Sequence, residues 1–148
     1  NLKVCPQCFY VFENNSNENL CEICRNPNRN NKLIAVVEKE TDLITIEKTK
    51  KYNGLYHILG GLILPIENNL ENLRIRELID RLKNNPQTEE VILAFSHTAS
   101  GDLTTLELEK ILKNFKIKVT KLAIGLQRGA EVEFADEDTL INAFENRK

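Results

Sequence analysis

No apolar run in the 148 residues approaches the roughly 18 that a membrane span requires. No leader of the basic, apolar, small-residue kind opens the chain. These two absences exclude a membrane-spanning helix and give a cytoplasmic protein as the expectation. The chain does not start on methionine. It starts at Asn1 and reaches a cysteine pair almost at once, as expected for a fragment whose N-terminal part has been removed. It has no excess of positive charge: 20 Lys and Arg face 22 Asp and Glu, a formal −2. That argues against a strongly basic nucleic-acid binder and leaves a local patch as the remaining route. There is no internal repeat and no low-complexity segment. No Gly-Lys-Ser/Thr follows Gly60-Gly61 or Gly125, so these glycines serve turns rather than a phosphate loop. Neither His57 nor His97 has the serine and aspartate arrangement of nucleophilic catalysis. What remains is a globular composition, 41% hydrophobic and 28% charged, with room for one ordinary domain, or one domain plus a small module.

No cysteine occurs after residue 24, and the four present fall as C-x2-C-x12-C-x2-C: Cys5, Cys8, Cys21 and Cys24. Two C-x-x-C turns can each present two thiolates to one tetrahedral Zn²⁺. All four ligands then come from protein, so the ion is structural, with no open position for catalysis. Two disulfides or an iron–sulfur cluster are the other readings of the same spacing. Phe9, Tyr10 and Phe12, in the loop between the pairs, either pack beside the metal or stack on bases. Arg25, Arg29 and Lys32 follow the last ligand in a turn-rich linker; they either contact phosphate or are simply solvated.

The stretch Lys32–Asp42, KLIAVVEKETD, organises the rest. Leu33 to Val37 is continuously apolar, as a strand covered on both faces must be. Ligands gather at the carboxyl ends of such strands in open α/β sheets, and Glu38 stands there. A short helix over Leu43–Glu47 is expected next, capped by Thr41 or Asp42. A second strand at Leu55–Leu59 carries Tyr56 and His57 and breaks at Gly60-Gly61. The clearest helical periodicity runs from Leu70 to Asn84, with Arg74, Glu77, Asp80, Arg81 and Lys83 on its outer side. Glu90–Phe95 reads as a third buried strand and residues 96–102 as a polar loop. Thr104–Phe115 reads as a helix and Ile117–Leu122 as a strand. A glycine-bearing loop from Gly125 to Gly129 leads to Val132-Glu133-Phe134. Asp136 caps a final helix ending near Arg147. Alternating strands and helices imply a mostly parallel sheet with helices on both faces. The expected division is a four-cysteine zinc finger at 1–30 and an α/β domain with its C-terminal segment at 31–148.

These residues resemble the bacterial recombination mediator family RecR over essentially the whole chain. The resemblance rests on CEIC ending at Cys24, Arg29, VVE at Val36–Glu38, Asp42 with Glu47, and YNGLYHILGG at Tyr52–Gly61. It continues through EVILAF at Glu90–Phe95, Gly101 with Thr104, and KLAIGLQRGAEVEFADEDTL at Lys121–Leu140. It implies a Toprim-type domain after a zinc finger. It also implies a DNA-binding, non-catalytic role in recombinational repair, loading recombinase on single-stranded DNA with RecO and RecF as partners. Family members form rings of dimers or tetramers, and carry an N-terminal helix-hairpin-helix module not seen in these residues. The sequence departs from the family in a longer loop between the cysteine pairs. It also has Ser100-Gly101-Asp102 where two carboxylates usually flank the glycine, and Gln127-Arg128 in place of a Pro-Val pair.

Toprim enzymes add an Asp-x-Asp pair to the glutamate after the first strand and gather Mg²⁺ there. Here Glu38 stands with Asp102 alone, with Glu133, Asp136 and Glu137 at undetermined distance. The expectation is therefore a scaffold and not an enzyme. A Mg²⁺-dependent nuclease or primase-like activity on DNA is the alternative. Glu38 and Asp102 are kept as a divalent-metal or partner contact. His57 is expected to be buried or at an interface. His97 is placed to reach a phosphate.

Overall fold

A computed structural model describes residues 2–14, 17–67, 69–123, 132 and 137–148. The run Leu33–Val37 lies at the C-terminal half of strand β3 (Asn30–Val37), where Ile34 to Val37 are all buried. It is flanked on one side by β4 (Gly54–Ile58) and on the other by β5 (Glu90–Leu93), with β6 (Lys118–Lys121) beyond. All three pairings in this order, β4-β3-β5-β6, are parallel. Parallel strands need crossover helices on the faces. These are α2 (Glu40–Lys48), α3 (Ile75–Asn84) and α4 (Ala99–Leu112), and α5 (Glu137–Glu145) follows β6.

The period of two along β3 divides the core. Ala35 and Val37 join Tyr56, Ile58 and Ile92 against Leu43 and Ile46 of α2 and Leu140, Ala143 and Phe144 of α5. Ile34 and Val36 join Val91 and Leu93 against Leu78 and Leu82 of α3 and Leu108 and Leu112 of α4. The result is three layers, with each fully buried aliphatic side chain contributing on the order of 1.5–3 kcal/mol. At the N-terminus β1 (Leu2–Val4) and β2 (Val11–Glu13) form an antiparallel pair, and α1 (Glu22–Arg25) closes the cysteine module.

Several boundaries differ from the sequence reading, each for a local reason. The helix expected from Leu70 divides into a 3-10 turn, Leu70–Asn72, and α3 from Ile75. Between them the backbone N–H of Arg74 donates to Leu59 O at 2.9 Å, tying the chain to the end of β4. The polar loop expected at 96–102 is largely the first turn of α4. Thr98 caps it, with Oγ1 accepting from the Gly101 N–H at 3.1 Å. A Cβ on Gly101 would lie 1.8 Å from Ser96 O, so the tight strand-to-helix passage demands glycine there. In α2 the cap is Lys39, and Asp42 sits one turn in, where its carboxylate faces the Lys39 N–H at 3.4 Å. The loop 125–129, the Val132-Glu133-Phe134 strand and the Asp136 cap lie outside the described residues except for Val132, which is buried.

Candidate metal centre and the arginine-capped sheet edge

The four cysteines converge. One ligand atom from each lies within 4.8 Å of every other, and Cys8 Sγ and Cys21 Sγ are 3.6 Å apart. None is in a disulfide. A tetrahedral ion with metal–sulfur bonds of about 2.3 Å places its sulfurs about 3.8 Å apart, so the spacing fits an S4 metal site. Backbone amides support three of the sulfurs: Cys21 N–H donates to Cys5 Sγ at 3.5 Å, Cys24 N–H to Cys21 Sγ at 3.5 Å, and Tyr10 N–H to Cys8 Sγ at 3.4 Å. Such donors orient thiolates and favour their ionised form. Hydrogen bonding within the cluster draws Cys21 down to about 7, chiefly through Cys24. It pushes Cys24 far up, chiefly through Cys21. A bound cation is what allows four sulfurs this close to be thiolate at once. Tyr10 and Phe12 pack on the cysteines, as the packing reading of these rings requires. Phe9 turns away to the sheet.

Phe9 is held at φ 70°, a left-handed conformation that a bulky residue enters only when its surroundings fix it. Its ring lies 5.6 Å from that of His57, edge to face, and under the Arg74 guanidinium at 4.8 Å. His57 is fully buried, with Nε2 at 2.9 Å from Arg74 O. Burial pulls its pKa down to about 3, so it is a neutral core group. The cysteine turn also pairs with the open side of β4, since Ile58 N–H donates to Cys8 O at 2.9 Å.

That open side carries a further pattern. Alternate carbonyls of a strand point the same way, and on β4 the outward ones are Gly54, Tyr56 and Ile58. Each accepts from an arginine, one from the linker and two from α3 and its N-cap: Arg29 Nη1 to Gly54 O at 3.1 Å, Arg81 Nη1 to Tyr56 O, and Arg74 Nη1 to Ile58 O at 3.2 Å. Three guanidinium groups and one cysteine turn therefore satisfy the edge that a neighbouring strand would otherwise pair. The outer-side reading of Arg74 and Arg81 is thus corrected. Arg81 is 7% exposed, beside Leu78 and Leu82 on the inner stripe of α3. Its position three after Leu78 was the available signal.

The three linker cations go to different places. Arg29 points inward, forms a two-pronged ion pair with Glu47, and also donates to Tyr52 O at 3.3 Å. Tyr56 Oη donates to the same Glu47 carboxylate. Arg25 and Lys32 are on the surface, 3.8 Å from Glu18 and 3.5 Å from Glu89.

Glu38 is half-buried at the carboxyl end of β3. It borders an open concavity of about 370 Å³ with Glu40, Gly60, Gly61 and Arg74. Gly60, at φ +90°, donates its N–H to Glu38 O at 2.9 Å. Asp102 lines a different concavity with Phe95, His97, Thr105, Lys121 and Lys148. Its Oδ1 is 3.8 Å from His97 Nδ1, and His97 Nε2 is buried without a hydrogen-bond partner. Among the described residues, the four cysteines are the group of three or more metal-ligating side chains that could hold an ion. Glu133 and Asp136 lie outside those residues.

A cysteine metal module docked on a parallel three-layer sheet defines a Toprim-type protein. The family model for the Toprim domain matches residues 32–123, and that described as "RecR, C-terminal" matches 129–148. The recombination protein RecR of Gloeothece citriformis is 45% identical over 146 residues, covering 98% of this chain and 70% of that protein. RecR of Synechococcus elongatus is 44% identical over 145 residues, 97% of this chain and 70% of that protein. RecR of Carboxydothermus hydrogenoformans is 41% identical over 149 residues, 100% of this chain and 72% of that protein. The chain belongs to the RecR family of recombination proteins. No helix among the described residues is long and apolar enough to cross a membrane.

Proposed function

We propose that the chain acts as a zinc-stabilised scaffold in recombinational DNA repair. It helps load recombinase on single-stranded DNA with RecO and RecF partners, and it catalyses nothing itself. Family membership supports the repair role. The observation that supports the non-catalytic part is that Glu38 and Asp102 border different concavities, Asp102 in the first turn of α4 beside His97. Phosphoryl chemistry on a Toprim sheet needs carboxylates gathered on one divalent ion. Glu38 then serves as a contact for partner or DNA. Cys5, Cys8, Cys21 and Cys24 hold one Zn²⁺ per chain, which supplies folding energy. The module at 1–30 and the domain at 31–148 are the two units, and the working form is a dimer or tetramer ring around DNA. Arg25 and Lys32 offer the surface charge for phosphate contact.

The test is incubation of the full-length protein with single- and double-stranded DNA in Mg²⁺ or Mn²⁺, with Glu38→Ala as control. The expected result is salt-sensitive DNA binding, an oligomeric solution mass and intact DNA. Cleavage or primer synthesis that disappears in Glu38→Ala would overturn the scaffold in favour of a metal-dependent enzyme.

A further inference from the structure

Arg81 is a buried cation with no carboxylate. Its Nη1 donates to Tyr56 O and, at 3.3 Å, to the carbonyl of Gln7, the residue before the Cys8 ligand. Its Nη2 is buried and unpartnered. Two other inward arginines have their acids: Arg29 has Glu47, and Arg147 has Glu90 at 2.8 Å. Among the described residues, no carboxylate lies within ion-pair reach of Arg81. Glu77 and Asp80, on its own helix, border the concavity outside it without pairing. A buried charge of this kind is retained only when something nearby compensates it. Burial pulls the Arg81 pKa down, and its bond to Gln7 O sets the guanidinium against the turn between the Cys5 and Cys8 ligands. Of the other cations near the module, Lys3 donates to Glu18 O and Asn19 and Arg25 pairs with Glu18 on the surface, while the half-buried Arg74 lies over the Phe9 ring and donates to Ile58 O.

Four thiolates around a divalent ion carry a net charge of −2. We propose that Arg81 is the buried counter-charge of the metal–tetrathiolate cluster: it offsets that dianion from the sheet side and raises the cluster's affinity for metal. The metal-loaded cluster is the anion that Arg81 otherwise lacks, so each stabilises the other. Because the same Nη1 also holds Tyr56 O, metal occupancy is felt directly at β4. The inference rests on the zinc reading above.

The experiment uses the full chain in reducing buffer and measures zinc affinity by competition with a chromogenic chelator. Cobalt substitution checks that four thiolates still bind tetrahedrally. Arg81→Met is expected to weaken zinc binding about 10- to 100-fold, the range for lost outer-shell partners, and Arg81→Lys to restore most of it. In a Cys24→His background the cluster carries −1, and the Arg81→Met penalty is expected to shrink. Wild-type affinity in Arg81→Met, or an equal penalty in both backgrounds, overturns the counter-charge. If Arg81→Met does not fold with zinc, Arg81→Lys decides: retained affinity supports the role, and affinity lost with the charge still present refutes it. A wild-type chain that takes up no zinc fails the metal reading instead.

Discussion

Replacing Arg29 with methionine separates a DNA contact from a structural tie. The guanidinium donates to both oxygens of Glu47 and to the carbonyls of Tyr52 and Gly54. The side chains are 14% and 27% exposed, a half-buried pair. Breaking a buried pair costs about 3–5 kcal/mol, and a surface pair about 0–1. Methionine keeps the packing of the stem but leaves Glu47 with only the Tyr56 hydroxyl. The expected loss is about 3 kcal/mol, which for a chain of this length lowers Tm by about 6–12 °C. Urea unfolding of the metal-loaded protein measures it, alongside DNA affinity at two salt concentrations. Glu47→Gln is expected to cost less, because the amide still accepts from Tyr56 or Arg29. If Arg29→Met kept wild-type stability and lost DNA affinity with a shallower salt slope, the inward reading of Arg29 would be wrong.

Gly101→Ala drives a methyl to 1.8 Å from Ser96 O; the expected cost is at least about 3 kcal/mol, the upper end for overpacking, read by chemical denaturation. Glu90 accepts from Arg147 and, at 2.6 Å, from Thr120. Burial alone would raise its pKa, but those hydrogen bonds and the Arg147 charge outweigh burial and hold it below the ordinary carboxylate value. A lowered folded pKa means this stability is present above the unfolded value of about 4.3 and is lost as pH falls through the folded one. Arg147→Met is therefore expected to destabilise at pH 7 and to flatten the acid limb, as unfolding midpoints from pH 7 to 3 will show. Chelation in reducing buffer is expected to abolish the ordered cysteine module, where the ion supplies on the order of 10 kcal/mol, with loss of amide protection at Tyr10, Cys21 and Cys24 by hydrogen exchange.

The parallel sheet was legible because the run Leu33–Val37 is apolar end to end, and only a doubly covered strand tolerates that. The cysteine cluster was legible because its spacing leaves few alternatives. The edge of β4 was not. Arg74 and Arg81 look like solvated charges on a helical stripe, and nothing local reveals that their partners are backbone carbonyls of a strand 16 and 25 residues away. Arg29 was visible as a cation, but its direction depends on Glu47 and Tyr56, which only the fold brings together. Residues 96–102 misled because serine, threonine and glycine favour loops, whereas here Thr98 acts as a helix cap and Gly101 as a clearance.

The two margins of the sheet are closed by different means. At β6 a backbone pair contributes, Lys121 and Lys148 exchanging hydrogen bonds at 2.7 and 2.9 Å. At β4 the closure includes a turn whose shape depends on cysteine ligation. A metal-starved molecule therefore does more than lose a small appendage. It frees the Ile58 N–H of a five-residue strand, Gly54–Ile58, every residue of which is buried in the intact protein, and so loosens one of the ties that keep this edge from pairing with another strand. Loss of the ion is therefore expected to be felt at the margin of the sheet, as a greater tendency to self-associate, independently of any effect on affinity for DNA.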